Sequence, residues 1–401
     1  MLETIDAGKI IVDHVHREAL AGDYPEACEA VLSRSDMKEA WDEITTWPGY
    51  APTPLRGLTE LARELRVSEV LYKDEGQRFG LGSFKALGGS YAVLRFVADR
   101  IFSDTGTRPS LADIRGGKYR AAATQITVTT ATDGNHGRSV AWGAKMAGCQ
   151  CRIYIHAEVS QGRQSAMEEF GAEVVRVDGD YDESLRQCIE DAGANGWQII
   201  SDTSFEGYMD VPRKVMAGYG VFAREIHSVI RERVSTHVFV QAGVGGVAAA
   251  VLALLWQELG PRRPRFVVVE PSRAACVLES ARLDRPAKVD IHEETIMAGL
   301  SCGEISLIAW EILSRGASDF LAIEEHGIEE AMRLMATGDA GGGRIVAGES
   351  AVPGLTALIG SASVGEWRQK LGIDSKSRIL LIGCEGATDP EIYERIVGKP
   401  A

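Results

Sequence analysis

From residue 68 onward the chain alternates apolar, β-rich runs with helix-like segments, and this alternation restricts the fold more than any other feature. The strand candidates are EVLYKD, QITVTTA, CRIYIHA, AEVVRVD, WQIISD, HVFVQAG, RFVVVEP, DFLAIEE and SRILLIGCEG. Between them the pattern predicts helices over 83–100, 136–147, 160–170, 181–193, 211–233, 245–259, 304–315, 325–338 and 350–373. Strands that alternate with helices predict βα units, hence an α/β fold with parallel sheets covered on both faces. Residues 103–120 are polar and contain glycine, which predicts a surface excursion, and YPEACEAVLSRSD near the start predicts a helix without visible chemistry. In open α/β sheets ligands collect where strands end and helices begin. The functional argument therefore rests on those junctions.

A chain of 401 residues has room for two domains. Its formal charge of −14 argues against nucleic acid or an anionic membrane as the main partner. The N-terminal MLETIDAGKIIVDHVHREAL lacks the basic start and apolar stretch of a secretory signal, and runs such as VAAAVLALLW are too short to span a bilayer. The seven cysteines form no CxxC unit, so no metal site is expected. These features point to a reduced, cytoplasmic protein.

Five positions at the junctions carry possible chemistry. Lys85 sits in RFGLGSFKALGGSYAV between Phe84 and Ala86, with Gly88 and Gly89 behind it. It is either a helix-surface lysine or a desolvated amine able to form a Schiff base, since Lys is almost never fully buried unpaired. The glycines would let a flat ligand or another backbone come close. Next, an apolar run ends in Thr132-Asp133-Gly134-Asn135-His136 before an amphipathic helix. This is a capped helix start or, through its backbone amides, a carboxylate site. Third, Gly243-Val244-Gly245-Gly246 opens a helix after the strand ending at Gln241 and can cradle a phosphate. It lacks the Lys-Ser/Thr pair of a P-loop and the G-x-G-x-x-G spacing of a dinucleotide fold. Fourth, SRILLIGCEGATD ends a buried strand at Cys384, which alone reads as core. Fifth, Asp202 ends the apolar run WQIISD and alone reads as a turn aspartate.

Together these segments resemble the pyridoxal-phosphate enzymes of fold type II, which include serine/threonine dehydratases, threonine synthase and cysteine synthase. GLGSFKALGGSYAV, ATDGNHGRSVAWGAKMAG, SDTSFEGY, QAGVGG, VEPSRAACV, IMAGLSCGE and AGESAVPGL are similar, in order over roughly residues 50 to 390, to the diaminopropionate ammonia-lyase family. The resemblance implies two open, twisted, mostly parallel sheets flanked by helices. It implies a large cofactor-binding domain made of 1–90 and 215–401 and a small domain of 91–214 that holds the Asn135 loop. It also implies pyridoxal 5'-phosphate as cofactor, a small amino acid as substrate and a homodimer as assembly.

Carried over by residue, the resemblance makes Lys85, with Phe84 beside it, the cofactor's covalent attachment. Asn135 would hold the cofactor's phenolic oxygen, Thr132 to His136 the substrate carboxylate, and Gly243 to Gly246 the phosphate. Cys384 falls where a Ser or Thr usually faces the pyridine nitrogen, a departure that weakens that contact. Asp133 stands where dehydratases of this fold have a small residue, and an anion there suits a substrate with a second ammonium. Asp133 and Asp202 match the two carboxylates that take the Cα proton of the D and the L isomer of 2,3-diaminopropionate. The implied reaction is β-elimination to pyruvate and ammonia. The alternatives are another β-eliminating or β-replacing enzyme of the fold, acting on serine, threonine, a hydroxyaspartate or a larger β-amino-substituted amino acid. A nicotinamide-dependent oxidoreductase and a non-catalytic binding protein are the rivals from other classes.

Overall fold

The buried strands are short, uninterrupted apolar runs, and in the computed structural model they assemble into two sheets. The structure describes residues 2, 5–132 and 134–401. In chain order the strands are β1 (Ile11–His16), β2 (Leu55–Gly57), β3 (Glu69–Asp74), β4 (Thr127–Ala131), β5 (Gln150–His156), β6 (Glu173–Val177), β7 (Gln198–Ile199), β8 (His237–Gln241), β9 (Arg265–Pro271), β10 (Asp319–Ile323) and β11 (Arg378–Gly383).

By internal contacts the chain divides into two units, one of Met1–Arg34, Pro52–Ser83 and Phe222–Ala401, the other of Ser35–Ala51 and Phe84–Val221. The first unit contains a seven-stranded sheet in the order β1-β10-β9-β8-β11-β3-β2. Its interior pairs are parallel, and the two edge pairs, β1 with β10 and β2 with β3, are antiparallel. The alternation of strands and helices did not reveal these edges. β1 reads Ile-Val-Asp-His-Val-His, and its polar residues hide it among loops. The helix Gly246–Leu259 is apolar nearly all round and correspondingly buried. The helix Pro353–Ser363 is buried along its whole length. The single helix expected over 350–373 is two helices, Pro353–Ser363 and Gly365–Leu371, because Val364 is extended (φ −102°, ψ 120°).

The second unit contains a four-stranded, wholly parallel sheet in the order β6-β5-β4-β7. The expected excursion at 103–120 includes a short helix, Leu111–Arg115, and a second follows at Arg120–Ala123. The segment expected as one early helix holds Glu26–Glu29 and the start of Arg34–Ile44. Helix Lys85–Thr105 lies tightly against helix Asn135–Ala147. A Cβ on Gly89 would fall 2.6 Å from Ser139 Oγ, and one on Gly88 would fall 2.4 Å from the Tyr219 ring. Those two glycines admit neighbouring helices, which settles one of the two readings open for them.

Candidate active site

In each sheet the strand order reverses at one point, and the junction residues gather there. In the first unit the chain runs from β8 outward through β9 and β10, while β11 and β3 lie on the other side of β8. In the second unit it runs from β4 through β5 to β6, while β7 lies on the other side of β4. Crevices for ligands open beyond the carboxyl ends of the strands at such reversals. The carboxyl ends of β8 and β11 lead into Gly243–Gly246 and Cys384. Those of β4 and β7 lead into Thr132–His136 and Asp202.

In the second unit Lys85, Asp202 and His136 converge. Lys85 begins its helix behind a loop in which Phe79 (φ 52°), Gly80 and Gly82 are left-handed. Phe84 packs edge-on against Tyr219 at 4.7 Å, and Ser139 Oγ donates to the Lys85 carbonyl at 2.6 Å. The Lys85 amine donates to Asp202 Oδ2 at 3.0 Å, and both side chains keep about a fifth of their surface exposed (23% and 20%). Burial alone would push the Asp202 carboxyl up. The Lys85 charge and the Lys85 hydrogen bond outweigh it and hold the group well below the usual carboxylate range.

His136 is buried, and its Nε2 donates to the Ile200 carbonyl at 2.8 Å. A carbonyl oxygen only accepts, so the proton sits on Nε2 and leaves Nδ1 bare. Burial and the Lys85 charge lower the imidazole's pKa despite Asp202, and the ring is neutral. Nδ1 lies 3.8 Å from Asp202 Oδ2 and has no hydrogen-bond partner among the described residues. The turn that carries Asp202 is fixed by Tyr208, whose hydroxyl donates to the Ile199 carbonyl (2.7 Å) and accepts from the Ser201 amide (3.1 Å). Thr132 Oγ1 accepts from the Gly134 and Gly137 amides at 3.1 and 3.2 Å and so shapes the loop at the start of the Asn135–Ala147 helix. Asp133, expected in that loop, lies outside the described residues.

In the first unit Gly245 is left-handed (φ 88°) and caps the Gly246–Leu259 helix without a side-chain hydrogen bond. The helix therefore presents its first amides and the positive end of its dipole to an anion. Cys384 is buried and donates through Sγ to the Ser350 carbonyl at 3.2 Å. The loop before Lys85 is tied to the Cys384 loop: Ser83 pairs with Glu385, and the Gly386 amide donates to the Gly82 carbonyl at 2.9 Å.

A pyridoxal phosphate needs an amine, an anion seat and polar partners for its ring. The residues fit on several counts. The Lys85 amine is held by the Asp202 carboxylate at 3.0 Å. The helix at Gly246 lacks a side-chain cap. In the second unit the buried His136 Nδ1 and Tyr219 Oη, and in the first unit the buried Gln241 Oε1, have no partner among the described residues. Ser139, Tyr208 and Tyr219 were not anticipated. Ser139 and Tyr219 lie inside apolar helical patterns and Tyr208 behind a turn, and nothing in the sequence sets them apart from packing residues.

The pyridoxal-phosphate dependent enzyme family profile matches residues 46–385. Over 379 residues the chain is 36% identical to the diaminopropionate ammonia-lyase of Escherichia coli K12, covering 92% of this chain and 94% of the relative. It is also 36% identical to the Salmonella typhimurium enzyme of the same name over 359 residues, 87% of this chain and 89% of that one. The crystal structure of holo diaminopropionate ammonia lyase from Escherichia coli superposes with a TM-score of 0.87 at 34% identity, over 97% of both chains. The same enzyme in complex with an aminoacrylate-PLP azomethine reaction intermediate gives 0.84 at 32% identity, over 97% of this chain and 98% of that one. The chain belongs to the pyridoxal-phosphate dependent enzymes and, within them, to the diaminopropionate ammonia-lyase family.

Proposed function

We propose that this protein catalyses the β-elimination of 2,3-diaminopropionate, adding one water and releasing pyruvate and two ammonia. The observation that carries this reading is the Lys85 amine held by the Asp202 carboxylate at 3.0 Å in a chain of this family. When bound, pyridoxal phosphate joins amines through its aldehyde and withdraws electrons from Cα, so that the Cα proton becomes removable.

The chain's own residues do the rest. Lys85 is the attachment point. Gly243, Val244, Gly245 and Gly246 would offer amides to the phosphate, Asn135 would hold the phenolic oxygen, Phe84 would support the lysine, and Cys384 would serve the ring nitrogen. A thiol does not hold that nitrogen charged as a carboxylate would. Elimination tolerates the difference, because the departing β-group takes the electrons. The loop from Thr132 to His136 receives the substrate carboxylate at the start of a helix. Asp202 takes the Cα proton of the L isomer, and Asp133 that of the D isomer. Asp202 is a weak base as long as the Lys85 ammonium lies beside it. Removing the charge from that nitrogen takes away the largest influence that lowers the carboxyl, lets burial push it up, and raises the carboxylate's basicity. The reading includes a homodimer in the cytoplasm, with no nucleic-acid partner. Among the described residues no helix is long and apolar enough to cross a membrane.

A second reading, elimination of water from serine, is favoured by the Escherichia coli relative having been solved in complex with D-serine. Product stoichiometry separates the two. Pyruvate and ammonia are measured together for each isomer of both amino acids. The proposal expects the highest kcat/KM on diaminopropionate, with two ammonia per pyruvate. A preference for serine, with one ammonia per pyruvate, overturns it.

A further inference from the structure

His136 stands in the loop assigned to the substrate carboxylate, yet its ring does not behave as an anion ligand. It is neutral, its Nε2 proton is committed to the Ile200 carbonyl at 2.8 Å, and its other nitrogen is a bare acceptor. That acceptor is buried, has no partner among the described residues, and lies 3.8 Å from Asp202 Oδ2. Two acceptors at that separation repel each other unless a donor lies between them. One nitrogen can sit about 2.9 Å from both.

We infer that His136 Nδ1 and Asp202 Oδ2 together seat the β-ammonium of the substrate, and that His136 is the residue by which this enzyme prefers a β-amine to a β-hydroxyl. The inference rests on the proposed function. Asp202, as the group that reaches the Cα proton of the L isomer, brings that isomer's β-substituent, one bond further on, into this neighbourhood. An ammonium carries three N–H donors and satisfies both acceptors at once. A hydroxyl carries one and leaves the other buried and unpaired, and sites built for a hydrogen bond discriminate most strongly against the ligand that cannot make it. The Ile200 carbonyl enforces this by fixing the tautomer. With Nε2 protonated, the neutral ring accepts at Nδ1 and cannot donate to a hydroxyl oxygen there.

Two substitutions separate the seat from the structural bond. Glutamine places its amide nitrogen near the position of Nε2, so His136→Gln keeps the donor to Ile200 and removes the acceptor. Asparagine places its amide oxygen near Nδ1, so His136→Asn keeps the acceptor and gives up the Ile200 contact. The measurement is kcat/KM on 2,3-diaminopropionate and on serine of the same configuration, with a thermal melt of each variant. His136→Gln is expected to lower the diaminopropionate-to-serine ratio by roughly tenfold to a hundredfold. His136→Asn is expected to keep that ratio and melt lower. The reverse pattern, or an equal loss on both substrates in both variants, overturns the inference and leaves His136 as a support for Ile200. A measurement on the wild type guards against misfolded variants. 1,2-Diaminoethane is expected to inhibit at least tenfold more tightly than 2-aminoethanol, and equal inhibition overturns the proposal. A wild type that makes no pyruvate from diaminopropionate fails the proposed function itself. An active wild type whose ratio does not respond to His136→Gln fails this inference alone.

Discussion

Two lysines stand twelve positions apart in one stretch of chain, and their surroundings are opposite. Lys73, at the end of β3, is 1% exposed and donates to Glu225 Oε2 at 2.6 Å and to the Thr53 carbonyl at 2.8 Å, with Glu75 Oε1 at 3.7 Å. Arg78 completes the group: it bonds both oxygens of Glu75 and both of Glu225 at 2.8 to 2.9 Å. Two cations thus face two anions and every charge is met. Lys85 is 23% exposed, and its ion pair is with Asp202. A saturated buried ion network fixes structure. An amine that keeps access to solvent can give up its proton and react.

The largest expected effect tests that difference directly. Lys85→Ala should reduce pyruvate release to background while changing unfolding stability by about 2 kcal/mol or less. Reduction with borohydride should fix the cofactor on Lys85 in the wild type, as read by peptide mapping. Residual turnover in Lys85→Ala, or label on another lysine, would break the contrast at its functional end.

The next effect is a split between isomers. A carboxylate removes only the Cα proton directed at it, so two bases on opposite faces serve different isomers. Asp202→Asn should lower kcat on the L isomer by roughly 10²–10⁴-fold and spare much of the D activity. Asp133→Asn should reverse the preference. Asparagine keeps the shape and removes the basicity. Equal losses on both isomers in both variants would leave Lys85 as the only base.

At the Lys73 end the expected effect is on stability. Glu225→Ala leaves two buried cations with one carboxylate and should cost about 3–5 kcal/mol in denaturant unfolding, because breaking a buried pair strands a charge. The pH dependence follows from the direction of the shift. Burial pushes the Glu225 carboxyl up, and Arg78 and Lys73 pull it down further, to a net position below the ordinary value of 4.5. A depressed carboxyl contributes stability that is present above that ordinary value and lost as pH falls through the folded one. The gap between wild type and Glu225→Gln should therefore narrow below about pH 4.5, as followed by thermal melts across pH.

How much of this could be read from the chain follows the same contrast. The interior strands were legible because a strand buried on both faces is an unbroken apolar run. β1 and β2 were not, one masked by Asp13, His14 and His16 and the other only three residues long. Lys85 and Asp202 stood out because each interrupts or ends an apolar segment, and their pairing at 3.0 Å joins positions that the sequence left separate. The Lys73 network was invisible for the opposite reason. In YKDEGQR its members look like a solvated turn, and Glu225 lies 152 positions from Lys73 in a helix with many polar residues. Charge compensation across such a separation is a property of the fold. The bare nitrogen of His136 was hidden for a related reason, since its tautomer is set by the Ile200 carbonyl.

The smallest expected effect is the sharpest test of compensation, because it removes two charges and should cost less than removing one. Lys73→Met alone leaves Arg78 to face both Glu75 and Glu225, a net buried negative charge. Glu225→Gln alone leaves Lys73 and Arg78 to face Glu75, a net positive one. Together the substitutions leave Arg78 and Glu75 as a neutral pair that keeps both of its 2.8 Å bonds. Buried ion pairs replaced by uncharged residues of similar volume are often neutral in stability. The double variant should therefore unfold within about 1–2 kcal/mol of wild type, less than either single variant, with a coupling energy of about 2–3 kcal/mol in the double-mutant cycle. Its turnover per folded molecule should be unchanged, because the Lys73 amine has no part in the chemistry. Additive costs would mean that the four charges are not acting as one compensated group. A fall in turnover comparable to that of Lys85→Ala would mean that the two lysines differ in exposure but not in role.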